Sequence, residues 1–130
     1  MIQSYRDLIA WQKAMDLVVG VYEVTRSWPK DEIYGLTNQV RRAAVSIPAN
    51  VAEGKGRAGA NEYHHHLSIA HGSLCELETQ LQIAHRLGYL DETRLNPLLE
   101  TSSEVGRIIQ GIMRKLRPTP QRPTPPRPDA

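Results

Sequence analysis

The chain has 130 residues and a mass of 14.6 kDa, enough for one domain that buries its own core without disulfides or metal and too little for a large multidomain enzyme. Hydrophobic residues at 40% and charged residues at 23% exclude wholesale disorder and a membrane-embedded chain. The net charge of +2 sits at the end of the chain: removing Arg117, Arg122, Arg127 and Asp129 from 16 basic and 14 acidic residues leaves 13 of each. Prolines concentrate there too, from Pro118 to Pro128. Residues 118–130 therefore read as an Arg/Pro-rich solvated tail and 1–117 as the folded domain. The opening residues lack the basic, apolar and small-residue segments of a secretory signal, and the longest uncharged apolar run, Leu17 to Tyr22, is too short to span a bilayer. A cytoplasmic protein without a membrane partner is expected, and the lone Cys75 fits a reducing compartment.

Helical spacing recurs four times ahead of the tail, and strand-like alternation persists nowhere. The first segment, Ser4 to Trp28, carries two apolar stripes: Leu8, Trp11, Met15, Val18 and Tyr22, and then Ala10, Ala14, Leu17, Val21, Val24 and Trp28. They lie about 100° apart, a wider apolar arc than one small core needs. The surplus face is expected to be a subunit interface, with Trp11, Val21, Val24 and Trp28 as its residues. Pro29 stops this helix.

The second segment begins between Asp31 and Leu36 and presents Leu36, Val40, Ala43, Ile47 and Val51. Pro48 lies inside it and removes a backbone donor, which predicts a kink; Ser46 or Asn50 would satisfy the freed groups. Gly54, Gly56 and Gly59, with Lys55 and Arg57 between them, predict a flexible basic loop. The third segment, Ala60 to Leu87, has an unbroken series from Tyr63 through Leu67, Ala70, Leu74, Leu77 and Leu81 to Ala84, closed by Gly88. Asp91 is a good N-cap for the fourth, whose series is Leu95, Leu98, Ser102, Val105, Ile109, Ile112 and Leu116. Short connections make neighbours antiparallel, so the expected fold is all-α, an antiparallel up-down-up-down four-helix bundle.

The run from Tyr34-Gly35-Leu36 through Arg41-Arg42-Ala43-Ala44 and Ser46-Ile47-Pro48-Ala49-Asn50 to Ala52-Glu53-Gly54, then Gly56-Arg57, resembles the four-helix bundle family encoded in intervening sequences of bacterial 23S rRNA genes. Glu62-Tyr63, Leu67-Ser68-Ile69-Ala70, Gly72-Ser73-Leu74, Glu76-Leu77-Glu78 and Leu87-Gly88-Tyr89-Leu90 agree with it, as do Tyr5-Arg6-Asp7-Leu8 and Trp11-Gln12-Lys13-Ala14. The likeness covers residues 5–90 almost continuously. It implies a cytosolic bundle assembled into a homopentameric ring or barrel, similar to the nucleic-acid-engaging accessory proteins of diversity-generating retroelements; it does not imply an enzyme, and a non-enzymatic protein is expected. No cofactor is implied.

Chemistry is sparse. Glu62 and His65 form a Glu-x-x-His pair, but a di-iron bundle needs two such pairs, so no metal site is expected. His64, His71, Glu78 and His85 recur every seven residues on the flank of the third helix, a position suited to helix–helix or subunit contacts. If subunits packed there, acidification would charge the histidines and loosen the assembly. Cys75 lies one turn after His71 without a third orienting group, and Gly54-Lys55-Gly56-Arg57 lacks phosphate-loop spacing, so no catalytic residue is expected. Nucleic-acid binding would use Arg41, Arg42, Lys55 and Arg57 as phosphate contacts to RNA or DNA, with Arg114, Lys115 and Arg117 adding charge at the end of the fourth helix. The alternative is a protein-interaction scaffold. Its tail segments, Arg117-x-x-Pro120-x-x-Pro123 and Arg122-x-x-Pro125-x-x-Pro128, have the form of polyproline ligands for a protein partner.

Overall fold

In a computed structural model that describes residues 4–116, Ser4 caps the first turn by accepting a hydrogen bond from the Arg6 N–H at 3.0 Å while its own N–H reaches Asp7. This reciprocal capping winds Tyr5–Asp7 into a 3₁₀ turn. Leu8 is extended, so the first long helix, α1, spans Ile9–Thr25 and not the whole Ser4–Trp28 segment. At its far end the Thr25 hydroxyl folds back onto the Val21 carbonyl at 2.8 Å, and Pro29 keeps the following turn from rejoining the helix.

A second 3₁₀ turn, Lys30–Glu32, leads to α2, Leu36–Gly56. The Glu32 carboxylate accepts from the Leu36 N–H at 3.3 Å and so serves one of the open donors at the start of α2. The helix runs through the buried Pro48, and beside it the Asn50 side-chain amide donates to the Ser46 carbonyl at 2.9 Å. Two of the three glycines expected in a loop belong to this helix. Gly54 is buried there, because a Cβ would stand 2.7 Å from the Cβ of His66 and 3.1 Å from the Tyr63 ring.

Residues 57–59 join α2 to α3, Ala60–Arg86. Gly59, at φ 97°, makes the turn that an L side chain would resist. Gly88, at φ 81°, ends α3: its N–H donates to the His85 carbonyl and the Tyr89 N–H to the Ala84 carbonyl, the paired bonds of a left-handed helix stop. Asp91 caps α4, Glu92–Lys115, by accepting from the Arg94 N–H at 3.1 Å.

The chain is all-α across the described residues, and no strand occurs among them. The helices form a four-helix bundle in which α1 and α3 each pack against α2 and α4. Its core is the expected set from α2, α3 and α4, with Leu17, Val21 and the alanines of α1 facing it. Each fully buried leucine or isoleucine contributes about 1.5–3 kcal/mol of apolar transfer. Gly20 permits the close approach of α1 to α4, where a Cβ would lie 2.8 Å from Leu98. Among the described residues no helix is long and apolar enough to cross a membrane. The tail, with Arg117, lies outside the described residues.

Candidate nucleic-acid and assembly surfaces

Arg41 and Arg42 follow each other on the outer side of α2, and the structure gives them different surroundings. The Arg41 Nε donates to the Thr25 hydroxyl at 2.9 Å, and its guanidinium lies 4.7 Å from the centre of the Tyr22 ring. That contact fixes the side chain while leaving its charge uncompensated. Arg42 is exposed. Neither arginine has a carboxylate at ion-pair distance among the described residues. Both line an open depression of about 560 Å³ with Tyr22, Ile33, Asn38 and Val45, and Arg42 also borders a second of about 320 Å³ that reaches Ser73 and Glu76 on α3.

Lys55 and Arg57 stand apart from that pair. Thirteen residues of helix separate Arg42 from Lys55, about 20 Å along the axis. Arg57 gives its charge to Glu53 at 2.8 Å, and this bond, followed by the electrostatic influence of the nearby His66 ring, holds the Glu53 carboxyl below its ordinary range. Lys55 extends over the Tyr63 ring, with Nζ 5.6 Å from its centre. The four expected phosphate contacts are thus two unpaired arginines, one lysine over an aromatic ring and one arginine engaged with a carboxylate.

Two of the expected assembly residues require correction. Val21 and Trp28 belong to the core, and Trp11 and Val24 are half-buried against it. Trp28 packs beside Tyr89 with ring centres 5.9 Å apart, and Trp11 meets Tyr5 edge-on at 5.4 Å. The two stripes of α1 are indistinguishable by periodicity. The second faces inward because Ala10 and Ala14 let the helix come close to its neighbours. The surplus face belongs to the first stripe, where Met15 is 40% exposed and Tyr22 39%, joined by Val19 at 55%.

The row of His71, Glu78 and His85 meets α4 and the segment that leads into it. His71 Nε2 is 3.1 Å from the Gln110 amide nitrogen, Glu78 accepts from the Ser102 hydroxyl at 2.6 Å, and His85 Nδ1 donates to the Leu90 carbonyl at 2.7 Å. His66, absent from that row, is the buried one: its Nδ1 lies 3.2 Å from Asn50 Oδ1. Asn50 in turn donates to Ser46, whose hydroxyl meets that of Ser73 at 2.9 Å, so a polar chain crosses from α2 to α3 beside Pro48. Each of these residues was visible in the sequence, but pairing His66 with Asn50 needed the helix register. Among the described residues no three His, Cys, Asp or Glu side chains gather into a metal site. Cys75 is an exposed thiol.

Residues 6–111 match the family described as 23S rRNA-intervening sequence protein. No curated protein matches the chain. A similar solved structure is that of a protein of unknown function from the S23 ribosomal protein family of Bacteroides thetaiotaomicron. It is 19% identical, with 82% of this chain and 96% of that chain covered and a TM-score of 0.76, a likeness of fold. With a match that reaches all four helices of the bundle, the chain belongs to the 23S rRNA-intervening sequence protein family.

Proposed function

We propose that this protein is a non-enzymatic, cytoplasmic, homo-oligomeric bundle that associates with structured nucleic acid through Arg41 and Arg42. The observation that carries this reading is the pair itself: two adjacent guanidinium groups without carboxylate partners, at an open depression whose wall includes an aromatic ring. Guanidinium groups bind phosphate oxygens in a bidentate fashion, and a neutral subunit gains avidity when copies present the pair together. Lys55 is a secondary contact, whereas Arg57 first has to leave Glu53.

An up-down-up-down path is part of the proposal. Gly54 with Tyr63, Asn50 with His66 and Ser46 with Ser73 are contacts that run in opposite directions along α2 and α3. Glu78 with Ser102 and His71 with Gln110 support the same relation for α3 and α4. Assembly as a homopentameric ring, which the family resemblance implied, is supported by the exposed apolar Met15 and Val19 of α1.

A second reading has its own support. Ile33 and Val45 are exposed and line the depression with Tyr22 and the arginines, and an Arg–Tyr surface with apolar neighbours suits a protein partner. Fluorescence anisotropy of labelled stem-loop RNA and duplex DNA, titrated with wild type and with Arg41→Ala/Arg42→Ala, separates the two. Saturable binding at physiological salt that the double variant weakens at least tenfold supports the nucleic-acid reading. Absence of binding by the wild type sinks it and leaves the protein-interaction scaffold.

A further inference from the structure

On the α3–α4 side of the bundle, two depressions of about 330 and 200 Å³ lie end to end and share Gln110. His64 and Arg114 line the first; His71 and Arg107 line the second. The histidines are seven residues apart on α3 and the arginines seven apart on α4, so the groove repeats an Arg–His rung after about 10.5 Å. Gln110 stands between the rungs and donates an amide N–H to His71 Nε2 at 3.1 Å.

The charge balance of this groove is one-sided. Arg107 donates one bond to Ser103 at 2.9 Å, and neither it nor Arg114 has an ion-pair partner among the described residues. Glu78 is the carboxylate that lines the groove, and it already accepts from the buried Ser102 hydroxyl at 2.6 Å. With one Gln110 N–H already donated to His71 Nε2, the two guanidinium groups supply the excess of donors, one at each rung. A chain of anions with many acceptor oxygens and a regular repeat answers that pattern, and an isolated carboxylate does not.

We propose that the α3–α4 groove binds the phosphates of a nucleic-acid backbone, with Arg107 and Arg114 as the principal contacts and His64 and the second amide N–H of Gln110 as supplementary donors. The ligand's identity rests on the nucleic-acid reading above; the site is separate from Arg41 and Arg42. Such contacts hold register and carry no base sequence information.

Two measurements on the full chain test it. In the first, inorganic tripolyphosphate is titrated while side-chain and backbone NMR signals are followed. Saturable shifts at His64, His71, Arg107 and Arg114 are expected, with none in Arg107→Gln/Arg114→Gln whose circular dichroism matches wild type; absence of shifts in the wild type overturns the site. In the second, stem-loop RNA anisotropy is measured against salt. Loss of two phosphate contacts should reduce the slope of log affinity against log salt by about 1.4 to 1.8. An unchanged slope with RNA still bound sinks the groove and leaves Arg41 and Arg42 standing. Groove shifts with tripolyphosphate but no RNA binding remove the backbone as ligand and the nucleic-acid function with it.

Discussion

Glycines in this bundle divide by what surrounds them, and the division predicts opposite effects of one substitution. Gly54 faces His66 and Tyr63 at distances no Cβ tolerates, so Gly54→Ala should destabilise by about 1–3 kcal/mol as α2 and α3 are pushed apart. Gly72 lies within α3 with nothing within 4 Å of a Cβ there, and Gly72→Ala should stabilise by about 0.5–1 kcal/mol. Urea denaturation of both variants checks the pair; similar shifts of equal sign would contradict the packing. Tyr89 offers a pH test. Its hydroxyl donates to Glu32 at 2.9 Å, and that bond, with burial and then the Glu32 and Asp31 charges, raises its ionisation above the ordinary tyrosine range. A raised folded-state value means the contribution is complete below the unfolded-state value, near 10, and disappears as pH climbs through the folded-state one. Thermal melts should therefore show an alkaline loss of stability that Tyr89→Phe reduces. This contact between residues 57 apart was invisible in the sequence, because neither residue belongs to a periodic stripe.

At the scale of elements, the heptads of α3 and α4 and the stops at Gly88 and Asp91 were legible, since burial and capping leave a direct mark on residue type. The ends of α1 were not. Ser4 pairs with Asp7 to cap a separate turn, and Thr25 turns its hydroxyl onto the last carbonyls, local hydrogen bonds that compete with a pattern of apolar spacing. The two-stripe helix was legible as amphipathic on both sides, but which stripe faces the core depends on how closely α4 approaches Gly20. The correction has a test. Met15→Glu/Val19→Glu should lower the assembly mass in light scattering with helicity unchanged, whereas Val21→Glu should unfold the chain. A double variant with the mass of wild type would remove α1 from the interface. Within the core, Leu77→Ala should cost about 2–5 kcal/mol, while Ile83→Ala on the exposed side of α3 should change stability by less than about 0.5 kcal/mol.

Over the whole molecule, fold and family follow from residues that the bundle needs. The proposed function rests on charges that it does not need. Arg41 is held by Thr25 and Tyr22 without losing its charge, and Arg42 is exposed beside it. The sequence made both visible as a dipeptide but could not separate them from Arg57, because the Glu53 partner one turn earlier competes for that guanidinium in three dimensions. The most direct test of nucleic-acid association is the salt dependence of stem-loop RNA binding by the full chain. A straight line of log affinity against log salt is expected, at least as steep as about −1.4, the slope for two neutralised phosphates on a single strand. Binding that is absent, or that does not weaken as salt rises, would contradict the assignment of this bundle to nucleic acid.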